Sequence, residues 1–289
     1  MCSFTDLIQF IFAGLTNGAI YALVALGFGV VHNTMGIVNF TQVDFVSLGG
    51  MLLYSALFAA GLPMVPALTL AVLGVTLAAL AVEWFGLRPS RSQNVLVLIF
   101  LTIGFSIILR GIMKLIWGKN RLAVPPLAGE DPVRFLGAAI LPQTLWILAL
   151  TAVAICALVL FFRHTPMGLA MRAVHTNPVA AAIVGLRVPR IKAMSFALAG
   201  ALGGLAGCLV TPITTLSYDV GVLLGLKGFA AAILGGFGSF PGAILGGLAL
   251  GLMESLSAAY LSSAYKDVIA FVVLLLVLFI RPRGLLGNT

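Results

Sequence analysis

The residues best placed to do chemistry form a polar run early in the chain: Asn39, Thr41, Gln42, Asp44 and Ser47, inside an otherwise apolar stretch. Their types suit the handling of a hydrophilic solute rather than bond cleavage. A charge at the centre of a bilayer costs roughly 2.5–3.5 kcal/mol on insertion scales, so such residues face a bundle interior or a water-filled path. On a regular helix the five side chains point at about 0°, 200°, 300°, 140° and 80°, which leaves no wide apolar stripe for lipid. The stretch must be enclosed by protein, or its helix must be broken. Asn39, Thr41, Gln42 and Asp44 are therefore candidates for a translocation path. Glu254, inside a later apolar run, is a further candidate that would line the path or pair with a basic group.

Enzymatic constellations are absent. There is no H-E-x-x-H, no G-x-S-x-G and no cysteine–histidine pair in a plausible cleft. His32, His164 and His175 fall at the ends of apolar runs, where solvation explains them. Cys2, Cys156 and Cys208 have neither metal-site nor framework spacing. No catalytic residue, metal ligand or cofactor site is expected. The run GVLLGLKG at 221–228 lacks the spacing of a phosphate cradle, so ATP would have to be used by separate subunits.

The elements that position these residues follow from composition. The 289 residues are 61% hydrophobic and 8% charged, against roughly a quarter charged in a soluble domain. Their mean hydropathy is +1.18. This is an all-α polytopic membrane protein, read as one transmembrane domain over 1–289. Apolar runs near 7–31, 37–60, 64–86, 93–116, 142–162, 191–212, 221–236, 241–261 and 267–281 predict eight or nine transmembrane helices. The first run lacks a signal peptide's basic start and cleavage site, so it is expected to be retained. Arg88, Arg91, Arg163, Arg172, Arg187, Arg190, Lys192, Arg281 and Arg283 fall in loops on one side. That bias places the N-terminus outside and the C-terminus in the cytoplasm, which requires an odd number of spans and favours nine. Arg110, Lys114 and Lys227 sit near outer span ends, where they would snorkel, and Glu83 is expected to pair with Arg88. The net charge of +8 is then a property of cytoplasmic loops, not a nucleic-acid footprint. Gly-rich segments around 36 and over 221–247 point to discontinuous helices around a central site. Gly14/Gly18, Gly200/Gly204, Gly203/Gly207, Gly242/Gly246 and Gly247/Gly251 are spaced for close helix packing.

The long loop at about 163–192 carries a further message. Thr165-Pro166 and Asn177-Pro178 each read as a helix cap followed by a first-turn proline, and Gly185 as a stop. Two short helices result, Pro166 to about His175 and Pro178 to about Val184. The first has Met167, Ala170, Met171 and Val174 on one side. A short amphipathic helix here would dock on a partner protein or lie on the membrane surface.

The loop pattern Gly168, Met171, Arg172, Ala173, Asn177, Pro178, Ala180, Ala181 and Gly185 resembles the coupling-helix loop of branched-chain amino acid ABC transporter permeases, in particular the LivH type. The run Gly36-Ile-Val-Asn-Phe40 and the glycine-rich run from Ala231 to Gly242 extend the resemblance over essentially the whole chain. One departure is Val43, where the family usually carries glycine, so that a neighbouring backbone would approach less closely. The resemblance implies that these loop residues couple to a cytoplasmic ATPase. It implies an assembly with a second related permease, two ATPase subunits and an extracytoplasmic substrate-binding protein in a bacterial inner membrane. ATP would be used by the partners and no cofactor bound by this chain. The cargo would be branched-chain or other neutral amino acids, or alternatively urea or short amides. The rival from another class is an ion-coupled secondary transporter, against which the docking loop speaks.

Overall fold

The computed structural model describes residues 4–90, 94–127, 129, 131–135, 138–260, 265–282 and 284–287, with the backbone alone at 134, 135, 138 and 270. Cys2, Arg91, Glu130 and Arg283, and the side chain of Arg134, lie outside this description. The described chain is built from α1 (Phe4–Met35), α2 (Gln42–Phe58), α3 (Met64–Ala81), α4 (Val95–Trp117), α5 (Pro142–His164), α6 (Pro166–Thr176), α7 (Pro178–Ile183), α8 (Val188–Val210), α9 (Val220–Gly235), α10 (Phe240–Tyr260) and α11 (Lys266–Ile280). A π-helical turn, Val82–Leu87, prolongs α3. A small hairpin of β1 (Val133–Phe135) and β2 (Ala138–Ile140) precedes α5. Six helices are long and apolar enough to cross a membrane: α1, α3 with its π turn, α4, α5, α8 and α10. Helices α2 and α9 are apolar but shorter.

Burial sorts these helices into two layers. Two thirds of the most apolar window of α1 and of α8 is buried, against 17% in α4. The outer helices α3, α4, α5 and α11 turn Leu73, Leu77, Phe100, Leu115, Leu160 and Phe279 outward. An apolar exterior of this kind is a lipid-facing surface.

Glycines bring the inner helices together, as their spacing predicts. A Cβ on Gly14 would sit 2.9 Å from the Leu252 Cα, and one on Gly18 2.8 Å from the Leu248 Cα, so α1 and α10 meet backbone to backbone. Gly49 of α2 faces the Gly204 backbone of α8 in the same way, and Gly207 faces Val46.

Two helices begin inside the bundle instead of at its surface. Helix α1 ends at Met35, and Gly36 reverses the chain with φ +68°. Residues 37–41 then climb back, so that Gln42, the first residue of α2, lies against Gly27 of α1. Gly27 is eight residues before Met35, a depth of about 12 Å. The second run is therefore a re-entrant segment leading into a helix, not one continuous span over 37–60. Helix α9 starts similarly, after the loop 211–219, with Gly221 against Val43 and Ser47 of α2. At its other end the segment 284–287 returns to it. The N–H groups of Leu285 and Leu286 donate to the carbonyls of Leu234 and Gly235, each at 2.9 Å. This contact satisfies acceptors that the helix end would leave bare.

Gly49→Ala places a methyl group on the Gly204 backbone and should cost about 1–3 kcal/mol through overpacking. Gly111→Ala, where an added Cβ meets nothing within 4 Å, should be neutral. Thermal melting of the two purified variants, with size-exclusion chromatography of each, distinguishes them.

Candidate translocation site

The turn before α2 is held by its own side chains. The Asn39 carboxamide oxygen accepts from the Thr41 N–H at 3.1 Å and from the Thr41 hydroxyl at 2.5 Å. The Phe40 N–H donates to the Thr102 hydroxyl of α4 at 3.1 Å. The Gln42 side-chain amide donates to the Ala199 carbonyl of α8 at 3.1 Å. Non-helical backbone at this depth needs such partners, because hydrocarbon supplies none. Asn39, Thr41 and Gln42 are all fully buried. The Asn39 Nδ2 and Gln42 Oε1 atoms have no hydrogen-bond partner among the described residues.

One turn further on, Asp44 is buried and meets α4. It accepts a hydrogen bond from the Ser106 hydroxyl, which in turn accepts from the Arg110 guanidinium at 2.7 Å. The Arg110 Nε lies 3.0 Å from Asp44 Oδ1, but its N–H is not aimed at that oxygen, so this contact is an ion pair without a hydrogen bond. Arg110 does not snorkel to an outer interface; it is the counter-charge of Asp44, and one third of its side chain remains exposed. Ser47 completes the row. Its hydroxyl accepts from the Gly221 N–H at 2.8 Å and donates to the Ser217 carbonyl at 3.3 Å. Ser47 thus caps α9 from another helix, in the place of Asp219, which makes no side-chain cap.

The valine at position 43 does not hold the neighbouring backbone away. Gly221 and Gly225 of α9 lie directly on Val43, and a Cβ on Gly225 would overlap its side chain. The small residue is supplied by the facing helix.

Glu254 is not part of this row. It accepts from the Tyr21 hydroxyl at 2.6 Å and from the Lys227 ammonium at 2.8 Å. Lys227 also pairs with Asp267 at 2.7 Å, and Lys266 lies 3.6 Å from Glu254. This network, buried at Glu254 and Lys227 and partly exposed at Asp267 and Lys266, ties α1, α9, α10 and α11 together. Lys227 is therefore buried and paired, not snorkelling, since two carboxylates of neighbouring helices hold it within the bundle.

The loop after α5 folds as its caps predict. The Thr165 hydroxyl accepts from the Gly168 N–H at 3.1 Å, and Asn177 Oδ1 accepts from the N–H groups of Val179 and Ala180 at 3.0 Å each. Gly185 stops the second helix with φ +92°. Gly168, Met171 and Ala181 are buried against their own chain, whereas Arg172, Ala173, Asn177, Pro178, Ala180 and Gly185 are exposed. The exposed surface also carries Leu169, Val179, Ile183 and Val184. His175 at the end of α6 lies 6.0 Å, ring to ring, from His32 of α1, which links the loop to the central helix.

Glu83 does not pair with Arg88. The Arg88 guanidinium stacks on Trp84, 4.1 Å from the ring centre, while Glu83 is turned inward by the π turn and is buried. Among the described residues no group of three or more His, Cys, Asp or Glu gathers as a metal site.

Sequence reasoning missed Ser106, Ser217, Tyr21 and Asp267, and set Arg110 and Lys227 at outer span ends rather than against Asp44 and Glu254. A usable signal existed for the charged ones. Asp44 and Glu254 lie in apolar runs and require counter-charges, and Arg110 and Lys227 lie in apolar runs too.

Known proteins share both the fold and the sequence pattern. The likeness to a solved structure, PsaBC from Streptococcus pneumoniae in complex with Fab, is of fold alone, at a TM-score of 0.50 and 14% identity over 95% of this chain and 93% of that one. The high-affinity branched-chain amino acid transport system permease protein LivH of Salmonella typhimurium is 34% identical, over 99% of this chain and 97% of its own length. BraD of Pseudomonas aeruginosa, described in the same words, is 33% identical over 95% and 94%. The profile of the family described as branched-chain amino acid transport system / permease component matches residues 10–278, and this multi-pass membrane protein belongs to that family.

Proposed function

We propose that the chain is the membrane subunit of an ABC importer and passes branched-chain or other neutral amino acids. The observation that carries this reading is the α6–α7 loop. Its inner face is packed, while its outer face presents Leu169, Val179, Ile183 and Val184 at 62%, 64%, 81% and 77% exposure. An apolar knob among polar loop residues fits a groove on a partner protein, and here the partner is a cytoplasmic ATPase. The buried Gly168, Met171 and Ala181 set the shape of the loop; the exposed Arg172, Ala173, Asn177, Pro178 and Ala180 border the contact. Two ATPases bind and hydrolyse ATP, a second related permease completes the pore, and an extracytoplasmic binding protein delivers the cargo. The relatives named for branched-chain amino acid transport support the cargo class.

In this reading the single domain over 1–289 spans the inner membrane nine times: the six long helices, the shorter α2 and α9, and α11. The N-terminus lies outside and the C-terminus in the cytoplasm. The row Asn39–Thr41–Gln42–Asp44 is the gate. Its side chains are buried and bonded to α4 and α8, so α2 must shift against those helices for a solute to pass. Glu254 is a brace with Lys227 and Asp267, not a path residue.

Ile183→Asp should abolish co-purification of the ATPase with this chain and ATP-driven uptake, with the yield of the membrane subunit unchanged. Asp44→Asn should lower leucine uptake in proteoliposomes on the order of tenfold, equivalent to about 1.4 kcal/mol on the limiting barrier, with assembly intact. For the brace, Lys227→Met alone removes the nearest counter-charge of the buried Glu254 and should destabilise by about 3–5 kcal/mol, while Lys227→Met combined with Glu254→Met recovers part of the loss. Melting curves report this difference; a double variant no more stable than the single would refute the brace.

A further inference from the structure

A cavity of about 420 Å³ lies at the base of the polar row, between the end of α1, the π turn, the start of α4, the α6–α7 junction and the start of α8. Its volume is in the range of small-molecule sites. Three chemistries meet in its wall. Glu83 supplies a carboxylate that is 2% exposed, and its Oε2 has no hydrogen-bond partner among the described residues. Arg88 and Lys192 supply cations, and Met35, Leu87 and Leu98 supply an aliphatic patch.

The Glu83 carboxylate is placed there by a specific backbone feature. In the π turn the Arg88 N–H donates to the Glu83 carbonyl, five residues back, at 2.8 Å. One extra residue in a turn rotates the helix on its N-terminal side by about 100° relative to the helix on its C-terminal side. A buried carboxylate oxygen without a hydrogen bond is costly, and Glu83 Oε2 is such an atom, in a helix turn widened by one residue. Gly36, the reversal point below Asn39, lines the same cavity.

We propose that this cavity is a release site for an aliphatic α-amino acid. Glu83 receives the ammonium group, Lys192 and Arg88 receive the carboxylate, and Met35, Leu87 and Leu98 hold the branched side chain. The match is to all three parts of one zwitterion, which a simple anion or cation site would not require. The site stands directly beneath the gate and beside the α6–α7 junction, through Pro178 and Val174. Occupancy would therefore be felt by the loop that meets the ATPase. This inference deepens the transport reading above and rests on it for the cargo class.

The test uses the assembled importer, purified without its binding protein, and equilibrium dialysis with L-leucine, 4-methylpentanoate and 3-methylbutylamine. Leucine should bind, and the two analogues, each lacking one charged group, should bind at least about tenfold more weakly. Glu83→Gln should weaken leucine binding roughly 10- to 100-fold, the worth of a charge-assisted hydrogen bond. Lys192→Met should weaken leucine but leave 3-methylbutylamine unchanged, a split that a merely unfolded variant cannot produce. Wild-type leucine affinity in either variant would overturn the site. So would an importer that transports leucine in proteoliposomes and binds none at equilibrium, in which case the transport reading survives. An importer that binds leucine through Glu83 but transports no aliphatic amino acid would instead sink the transport reading.

Discussion

Every peptide group inside a hydrocarbon layer must find its hydrogen-bond partner within the protein. Most of this chain meets that constraint by being helical, and the buried polar row lies where it departs from the helix inside the bundle. Between Met35 and Gln42, and again between Thr214 and Val220, the chain runs inside or into the bundle outside any regular helix. The first is held by its own Asn39 and by Thr102 of α4, the second by a backbone pair with Leu122 and by Ser47 at the start of α9. The same few polar atoms thus permit irregular backbone at depth and form the buried polar row.

Close approach is the second requirement. Polar side chains reach across only if the helices touch, and the glycines of α1, α2, α8, α9 and α10 allow this. Gly203 lies on the Gln42 side chain, Gly221 on Val43 and Ser47, and Gly27 again on Gln42. Glycines of α1, α8 and α9 thus flank the polar row. The Gln42 side chain packs between Gly27 and Gly203, with its amide on the Ala199 carbonyl.

Much of this was legible in the sequence. The capped loop was readable nearly to the residue because Thr-Pro and Asn-Pro fix helix starts through local chemistry. The glycine pairs were readable because their spacing encodes a face, and the polar run at 39–47 because its directions fit no lipid stripe. Pairing across the fold was not readable in the same way. Asp44 and Arg110 are 66 residues apart, and nothing local says that α2 starts mid-bundle and so brings them level. The same holds for Lys227 and Glu254, and for Glu83, whose expected partner Arg88 is taken by Trp84 once a π turn intervenes. Local rules set elements; the depth at which an element begins is a tertiary property.

The segment at 284–287 does a capping job that the chain elsewhere gives to side chains. Its two hydrogen bonds close the end of α9, the helix that carries Lys227 and packs on α2 through Gly221 and Gly225. Without residues 284–287, the carbonyls of Leu234 and Gly235 at the end of α9 would lose these donors.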